Sequence, residues 1–548
     1  MRTHYPRTPH LPWSPGSTSD DVRAGGVAGL LGREVVVTEK LDGENTTLYR
    51  DGSHARSLDS GHHPSRSWVK GLQARIGSRL PAGWRICGEN VHARHSLAYD
   101  ALDSWFYGFS LWDGDRCLSW DATTGFLHGI GVPTPPVLYR GDFSERLLRR
   151  LRVDTSVQEG YVVRAVEEFD RADFAHRVAK WVRPSHVRTD AHWMSAPVVP
   201  NGLSPRALLW DLRSGAPADP DALAAATGLP VDADALARLD PADALGDRRL
   251  TAVLATALHA VPRARLAAEL AALTGLPLSR RVADVAGLHR GPHREFPDEL
   301  RRSGLLRLAT AVDLGVLHAV SAALAPDAAA RDNTAWSALH ADELGPRPFA
   351  GLRAGLLAES GSALCWADGR DRSVEQGRVL GVEEAVAATW RLRGPHPELL
   401  HLIGPSGSGK STFGRGWGEL VSLDELRAAR GDRSDQSAND AIAHEARGLL
   451  DAALARGGDV VWDATSLTDQ LRAPVDAAAR RRGALLTHVV ALVPERVLDV
   501  RDAARPHPVP AAVRAAQLRR YSPPYPWQAH RTWYLGESGE IEDDGGEP

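Results

Sequence analysis

Apolar positions follow three successive rhythms along the chain. From about residue 30 to 190 they form short runs separated by frequent Gly and Asp turns, a β-rich pattern. The apolar run 35–37 leads into Glu39-Lys40-Leu41-Asp42-Gly43-Glu44-Asn45-Thr46-Thr47, and Leu48-Tyr49 before Arg50-Asp51-Gly52 reads as a short strand and a tight turn. Residues 84–90 predict a strand ending in Glu89-Asn90. Residues 105–113 predict an aromatic strand in which Phe106 shares a face with Gly108. Glu159 heads the strand 159–164, and 179–183 closes the set with Lys180 and Arg183. From about 200 to 395 the rhythm becomes that of Ala/Leu helices, such as 248–258 and 262–273, with Pro-Asp, Gly-Leu-Pro and Gly-Pro-His breaks. Beyond 396, strands at 399–403, 421–424, 459–463 and 485–492 alternate with helices at 439–455 and 470–482, the signature of a parallel sheet. The expected organisation is an α+β domain at 1–195, an all-α domain at 200–395, an α/β domain at 396–536 and a disordered acidic tail at 537–548.

Composition adds limits. At 548 residues the chain is too long for one core. A net charge of −4 leaves any basic groove a local matter. Three widely spaced cysteines make neither a disulfide framework nor a zinc cluster and fit a reducing cytoplasm. The N-terminus lacks the apolar run of a signal peptide, and no uncharged stretch has the length of a membrane span. A cytoplasmic location and no membrane partner are expected.

Two stretches carry chemistry. Gly404-Pro405-Ser406-Gly407-Ser408-Gly409-Lys410-Ser411-Thr412 follows a buried strand and precedes a helix, as a phosphate-binding loop does. Gly404, Gly407 and Gly409 expose backbone N–H groups to a triphosphate; Lys410 reaches its β and γ oxygens, and Ser411 a magnesium ion beside Thr412. The strand 421–424 ends in Asp424, and a carboxylate near an acceptor hydroxyl can take its proton, while Arg427 one turn later can hold a phosphate. Arg501 and Arg505 flank Pro506-His507-Pro508, the expected lid over ATP. The second stretch centres on Lys40. Taken alone it is a charged β-turn. With Phe106 to cover a purine, Glu89 and Glu159 for ribose and divalent metal, and Lys180 for an α-phosphate, it supplies what nucleotidyl transfer to a lysine requires. The carboxylates beside Lys40 do not lower its pKa, so bound metal or basic groups must free the amine.

This ordered set resembles the ATP-dependent RNA ligases of the covalent nucleotidyltransferase superfamily. The resemblance implies that Lys40 carries AMP, Glu89 contacts ribose, Phe106 stacks on adenine, Glu159 associates with metal, Lys180 contacts phosphate, and Arg56 assists. Family members end the set with two lysines separated by one residue. Here Arg183 is the next cation, which can hold phosphate but cannot act as an acid near neutrality. Arg183-Pro184-Ser185-His186-Val187 and His192-Trp193-Met194 resemble the module end in a subgroup of these ligases. Residues 396–535 resemble P-loop polynucleotide 5′ kinases, which implies Asp424 as base, Arg427 on the acceptor's phosphate, and Asp463 and Thr465 shaping the acceptor site. The middle region resembles helical HD phosphohydrolases, but no His-Asp dipeptide occurs, and His259 is followed by Ala260. His289 and His293 with Asp313 remain as candidate ligands, separated by the helix-breaking Gly291-Pro292. This region is expected to be a catalytically dead spacer or RNA platform, the alternative being a surviving phosphohydrolase that removes 2′,3′-cyclic phosphate and makes the enzyme trifunctional.

The combined expectation is an enzyme using ATP and Mg2+ or Mn2+ to phosphorylate RNA 5′-hydroxyls and seal them to 3′-hydroxyls, with a separate 3′-end phosphatase as partner. Two rival classes share the motifs. One is a sensor whose ATP sites only regulate RNA binding, against which Lys40, Lys410 and Asp424 argue. The other is an enzyme acting on DNA or a small-molecule acceptor.

Overall fold

A computed structural model describes the chain except residues 1, 18–20, 59–60, 185–196, 241–243, 296, 376–380, 431–438, 506–507 and 547–548, with the backbone alone at 299, 375 and 439. It divides into two compact units, one comprising 1–222 and 243–250, the other 223–242 and 251–548.

The first unit is built on two antiparallel sheets. One has the strand order Val178–Val182, Gly160–Ala165, Glu34–Lys40, Val137–Asp142. The other runs Gly52–Ala55, Glu44–Tyr49, Trp84–Asn90, Phe106–Asp113, Arg116–Cys117, Phe169–Asp170. Alternation along the strands sorts side chains between cores. Val35, Val37, Tyr161, Val163 and Ala179 bury into an outer apolar cluster. Their neighbours Thr38, Lys40, Val162, Arg164, Val178 and Lys180 line a cavity. On the second sheet, Leu48, Ile86, Phe106 and Leu111 pack outward against Val69, Leu72 and Ile76 of the Ser67–Ile76 helix and Leu127 of the Trp120–Gly129 helix. Cys87, Trp112 and Cys117 face inward with Phe169 and Val178.

In the second unit the helices from Arg263–Thr274 to Val382–Thr389 pack with the C-terminal sheet. That sheet runs Glu419–Ser422, Val460–Asp463, Glu398–Ile403, Leu485–Ala491, Arg531–Leu535, Ile541–Asp543, parallel except for its last strand. The last strand corrects the expectation of a disordered tail from 537. Asp543 is buried and accepts from Arg280 Nε at 2.8 Å, while Arg280 also reaches Asp284 at 3.3 Å. An acidic tail orders when one carboxylate neutralises a buried guanidinium. The Pro-rich segment before it is clamped too: Arg263 donates to the Pro523 carbonyl at 3.0 Å and lies 3.5 Å from the Tyr525 ring centre. Among the described residues no single helix is long and apolar enough to cross a membrane.

Candidate functional sites

A cavity of about 870 Å³ opens at the end of the Glu34–Lys40 strand. Lys40 Nζ meets Glu159 Oε2 at 2.5 Å, and Glu159 is almost fully buried. Burial disfavours the ammonium, but Glu159, Glu89 and Asp42 outweigh it and hold Lys40 above its ordinary pKa. Glu89 takes the opposite consequence of the same crowding. Burial, offset by Lys40 but reinforced by Glu159 and Asp42, pushes its pKa up to about 8. Glu89 can therefore donate a hydrogen bond near neutrality. Lys180 lines the same cavity, lowered by burial and then by Lys40, with Asp21 at 3.7 Å opposing the shift.

The remaining members of the Lys40 stretch are scaffolding. Asp42 accepts from Ser96 Oγ at 2.7 Å and Leu97 N at 2.8 Å, which ties the 96–99 loop beside the lysine. Gly43 has no room for a side chain, since a Cβ there would sit 2.5 Å from the Asn90 carbonyl oxygen. Glu44 receives a two-pronged guanidinium from Arg66, with Nε at 2.7 Å. Sequence reading did not find Arg66 or His95, both lining the cavity. Their only signal is charge, which does not specify a partner 22 residues away.

Phe106 is a correction. It is fully buried in the outward cluster, and a Cβ on Gly88 would touch its ring at 2.3 Å. Phe109 lines the cavity instead, with the Tyr5 ring edge-on at 5.2 Å, and Trp120 and Phe169 also contribute. A bulge decides the arrangement: Cys87 pairs with Ser110 and Gly88 with Gly108, leaving Phe109 as the extra residue. Phe106 does share a face with Gly108, but it is the face away from Lys40. Arg56 lines the cavity; Arg183 does not, being buried and donating from its guanidinium to the Thr155 carbonyl. Residues 185–194 of the module-end motif lie outside the described residues.

At the second site, Gly404, Gly407 and Gly409 all have positive φ, and the Gly404 N–H donates to the Thr465 carbonyl at 2.9 Å. Lys410 is buried; its Nζ lies 3.5 Å from the Pro405 carbonyl oxygen. Burial lowers its pKa, partly offset by Asp463 and Asp424 and aided by Arg505. Ser411 Oγ donates to Asp463 at 2.9 Å, which forms a small oxygen-ligand pair beside the loop. Thr412 lies one position further in the short Lys410–Phe413 helix. Asp424 is exposed and paired with Arg427 at 2.7 Å on the Leu423–Ala429 helix, whose start Ser422 caps. Arg501 donates to the Ser408 carbonyl at 3.1 Å, and Arg505 stands 3.8 Å from Asp502. Gln517 was not foreseen: it accepts from Ser406 N at 2.9 Å and donates to Ser406 Oγ at 3.2 Å. Pro506-His507 of the expected lid lies outside the described residues.

In the helical region, Asp313 caps the Leu314–Ala323 helix by accepting from Val316 N at 3.0 Å. His289 Nδ1 is 2.7 Å from the Ala286 oxygen and His293 Nε2 is 3.0 Å from that of Ser321, so both rings are bonded to backbone carbonyls. His259 pairs with Asp232 at 3.0 Å.

Residues 33–182 match the family model described as RNA ligase, and 399–524 match that of the AAA domain; neither reaches the helical middle. A search of curated proteins finds no match. Among solved structures, a Naegleria gruberi RNA ligase mutant with ATP and Mn is 15% identical, over 32% of this chain and 59% of that one, at a TM-score of 0.23. The same organism's RNA ligase with PPi is 16% identical over 28% and 51%, TM-score 0.22. An archaeal ATP-dependent RNA ligase is 14% identical over 38% and 50%, TM-score 0.23. This chain thus spans between half and three fifths of those relatives. The chain is therefore multidomain, with an N-terminal RNA-ligase-like region, a helical middle and a C-terminal AAA-like P-loop region.

Proposed function

We propose that this chain phosphorylates RNA 5′-hydroxyl ends with ATP and joins the resulting 5′-phosphates to 3′-hydroxyls. The observation carrying the reading is Lys40, at a strand end inside a deep cavity, with Glu159 on its ammonium, Glu89 and Lys180 around it and Phe109 on the wall. It falls within the stretch that matches the RNA ligase model, and the P-loop shares the chain with it.

In the joining half, the Lys40 amine attacks the α-phosphorus of ATP and pyrophosphate leaves; AMP then passes to the RNA 5′-phosphate, and a 3′-hydroxyl displaces it. Lys180 sits where it can balance charge on the transferring phosphate. Phe109, Trp120 and Phe169 form the apolar wall for the base, and neutral Glu89 suits a ribose hydroxyl. In the kinase half, Asp424 takes the proton of the attacking 5′-hydroxyl while Lys410 and the loop N–H groups hold the β and γ phosphates. Arg427 orients Asp424 and a neighbouring RNA phosphate. Mg2+ or Mn2+ would be held by Glu159 at one site and by Ser411 and Asp463 at the other, where it would neutralise phosphate charge. The crowded negative charge around Lys40 and the Ser411–Asp463 pair both suit such a cation. RNA ending in a cyclic phosphate would need a separate 3′-end phosphatase before sealing.

The deciding experiment supplies 5′-OH/3′-OH RNA with ATP and divalent metal, follows both ends and the covalent protein–AMP adduct, and repeats the assay with DNA. Sealed RNA through a lysyl-AMP supports the reading. An adduct that persists in Lys40→Ala removes it, and sealing of DNA alone changes the substrate class.

A further inference from the structure

His401 lies in the central Glu398–Ile403 strand, the one that delivers the phosphate loop, and is fully buried. Its Nδ1 is 2.8 Å from Asp476 Oδ1 and its Nε2 is 2.8 Å from Ser466 Oγ. Asp476, on the Asp469–Arg481 helix, also stands 3.1 Å from Nε2 of His488 on the Leu485–Ala491 strand. Burial works against charge on Asp476, yet His488 and His401 outweigh it and keep the carboxylate ionised. An ionised carboxylate only accepts, so both imidazoles direct an N–H at it. Burial keeps His401 below the usual histidine range, so its Nε2 is bare and accepts the Ser466 hydroxyl proton. The bonds therefore run in one direction, from Ser466 through His401 to Asp476, with His488 closing the far side.

Ser466 is where this order meets strain. Among the described residues it is the non-glycine residue with positive φ, at 47°. Its hydroxyl is committed to His401, and its carbonyl accepts from buried Arg472 at 3.0 Å. The residues just before it serve the phosphate loop: Thr465 O takes the Gly404 N–H, and Asp463 takes the Ser411 hydroxyl.

Two other uses of this cluster are disfavoured by the same contacts. The distances match a Ser–His–Asp nucleophile arrangement, but Ser466 is only 3% exposed. The ligand atoms of His401, Asp476 and His488 lie within 4.8 Å of one another, as a metal site requires. A metal on His488 Nε2 would force the proton onto Nδ1, which is buried without a partner.

We propose that Ser466, His401 and Asp476 are positioning residues for phosphoryl transfer. Their buried relay holds Ser466 in its left-handed conformation and so keeps Asp463 and the Thr465 carbonyl against the phosphate loop. The proposal rests on the reading of the C-terminal module as a kinase.

The test uses full-length Ser466→Ala, Ser466→Gly and Asp476→Asn proteins. The readouts are kcat and Mg2+ dependence for RNA 5′ phosphorylation, and the portion of ATP hydrolysis that Lys410→Ala removes. Lysyl-AMP formation reports the integrity of the rest of the chain. Ser466→Ala should lower kcat roughly 10–100-fold and raise the Mg2+ requirement, the scale expected for a supporting hydrogen bond, with KM for RNA unchanged. Ser466→Gly accepts positive φ without strain and should recover part of that loss. Asp476→Asn should match Ser466→Ala, because an amide N–H turned toward one imidazole reverses the relay. Should Ser466→Ala fail to fold, the other two variants decide. Wild-type kcat and Mg2+ dependence in both Ser466→Gly and Asp476→Asn overturns the proposal, as does stoichiometric metal in the wild type that Asp476→Asn loses. Lys410-dependent hydrolysis without RNA phosphorylation instead removes the kinase reading, and the relay then stands or falls on the hydrolysis rates of the same variants.

Discussion

A half-buried and a buried lysine, each with carboxylates nearby, behave in opposite ways in this chain. Lys40 meets Glu159 at 2.5 Å and is held above its ordinary pKa; Lys410 has a carbonyl oxygen at 3.5 Å and is held below it. Each is tuned against its proposed task, since a nucleophile needs the free amine and a phosphate clamp needs the cation. The contrast teaches that the protonation of each lysine depends on the charge brought beside it. Divalent metal on Glu159 would release Lys40, and a triphosphate beside Lys410 would restore its proton. At Lys40 the charges of Glu159 and Glu89 outweigh desolvation, whereas at Lys410 those of Asp463 and Asp424, opposed by Arg505, do not.

The sharpest way to break this comparison is to remove each lysine. Lys40→Ala should bring lysyl-AMP and sealing to background while RNA 5′ phosphorylation continues, and Lys410→Ala should do the reverse; label transfer from ATP reads both. Loss of both activities in either variant would show that the two sites are not separate. The acceptor side sharpens it further. Asp424→Asn should lower phosphorylation by about 10²–10⁴-fold with ATP affinity nearly unchanged, as removal of a general base does. A kcat near wild type would exclude Asp424 from that role.

The charge argument has a test of its own. Without divalent metal, Lys40 modification by an amine-reactive reagent should show a midpoint above the ordinary lysine value, because Glu159 and Glu89 stabilise the ammonium. Mn2+ should move that midpoint to lower pH by neutralising the carboxylates. A midpoint indifferent to metal would leave the shift without its proposed release.

Two smaller effects separate the faces of one strand. Phe106→Ala should destabilise the first unit by about 3–5 kcal/mol, since it empties a fully buried site. Phe109→Ala should instead raise KM for ATP about tenfold, equivalent to about 1.4 kcal/mol, with little change in melting temperature. Thermal melts beside adenylylation kinetics distinguish them, and swapped results would return Phe106 to the base. In the second unit, Asp543→Asn should cost roughly 3 kcal/mol because buried Arg280 would keep only one carboxylate, Asp284, which it shares with Arg263. Its melt should shift while lysyl-AMP formation does not.

Contiguous chemistry was legible in the residues themselves. The glycine-rich loop with Lys410 and Ser411 specifies its function through backbone conformation within nine residues, and the strand ending at Lys40 follows from the apolar run before it. The helices of the middle region follow from their periodicity. Long-range pairing was not legible, because charge and hydrophobicity do not encode a partner's distance along the chain. Glu159 on Lys40, Arg66 on Glu44 and Asp476 between two histidines exist only once sheet order sets strands side by side. Face assignment needed the same information. One extra residue at Phe109 reverses the alternation of 106–108 relative to 110–113, so a period of two carried along the whole strand does not say which face meets Lys40. The tail shows the limit from the other side: acidic and glycine-rich residues favour disorder until a buried guanidinium, Arg280, gives Asp543 a partner that solvent cannot reach.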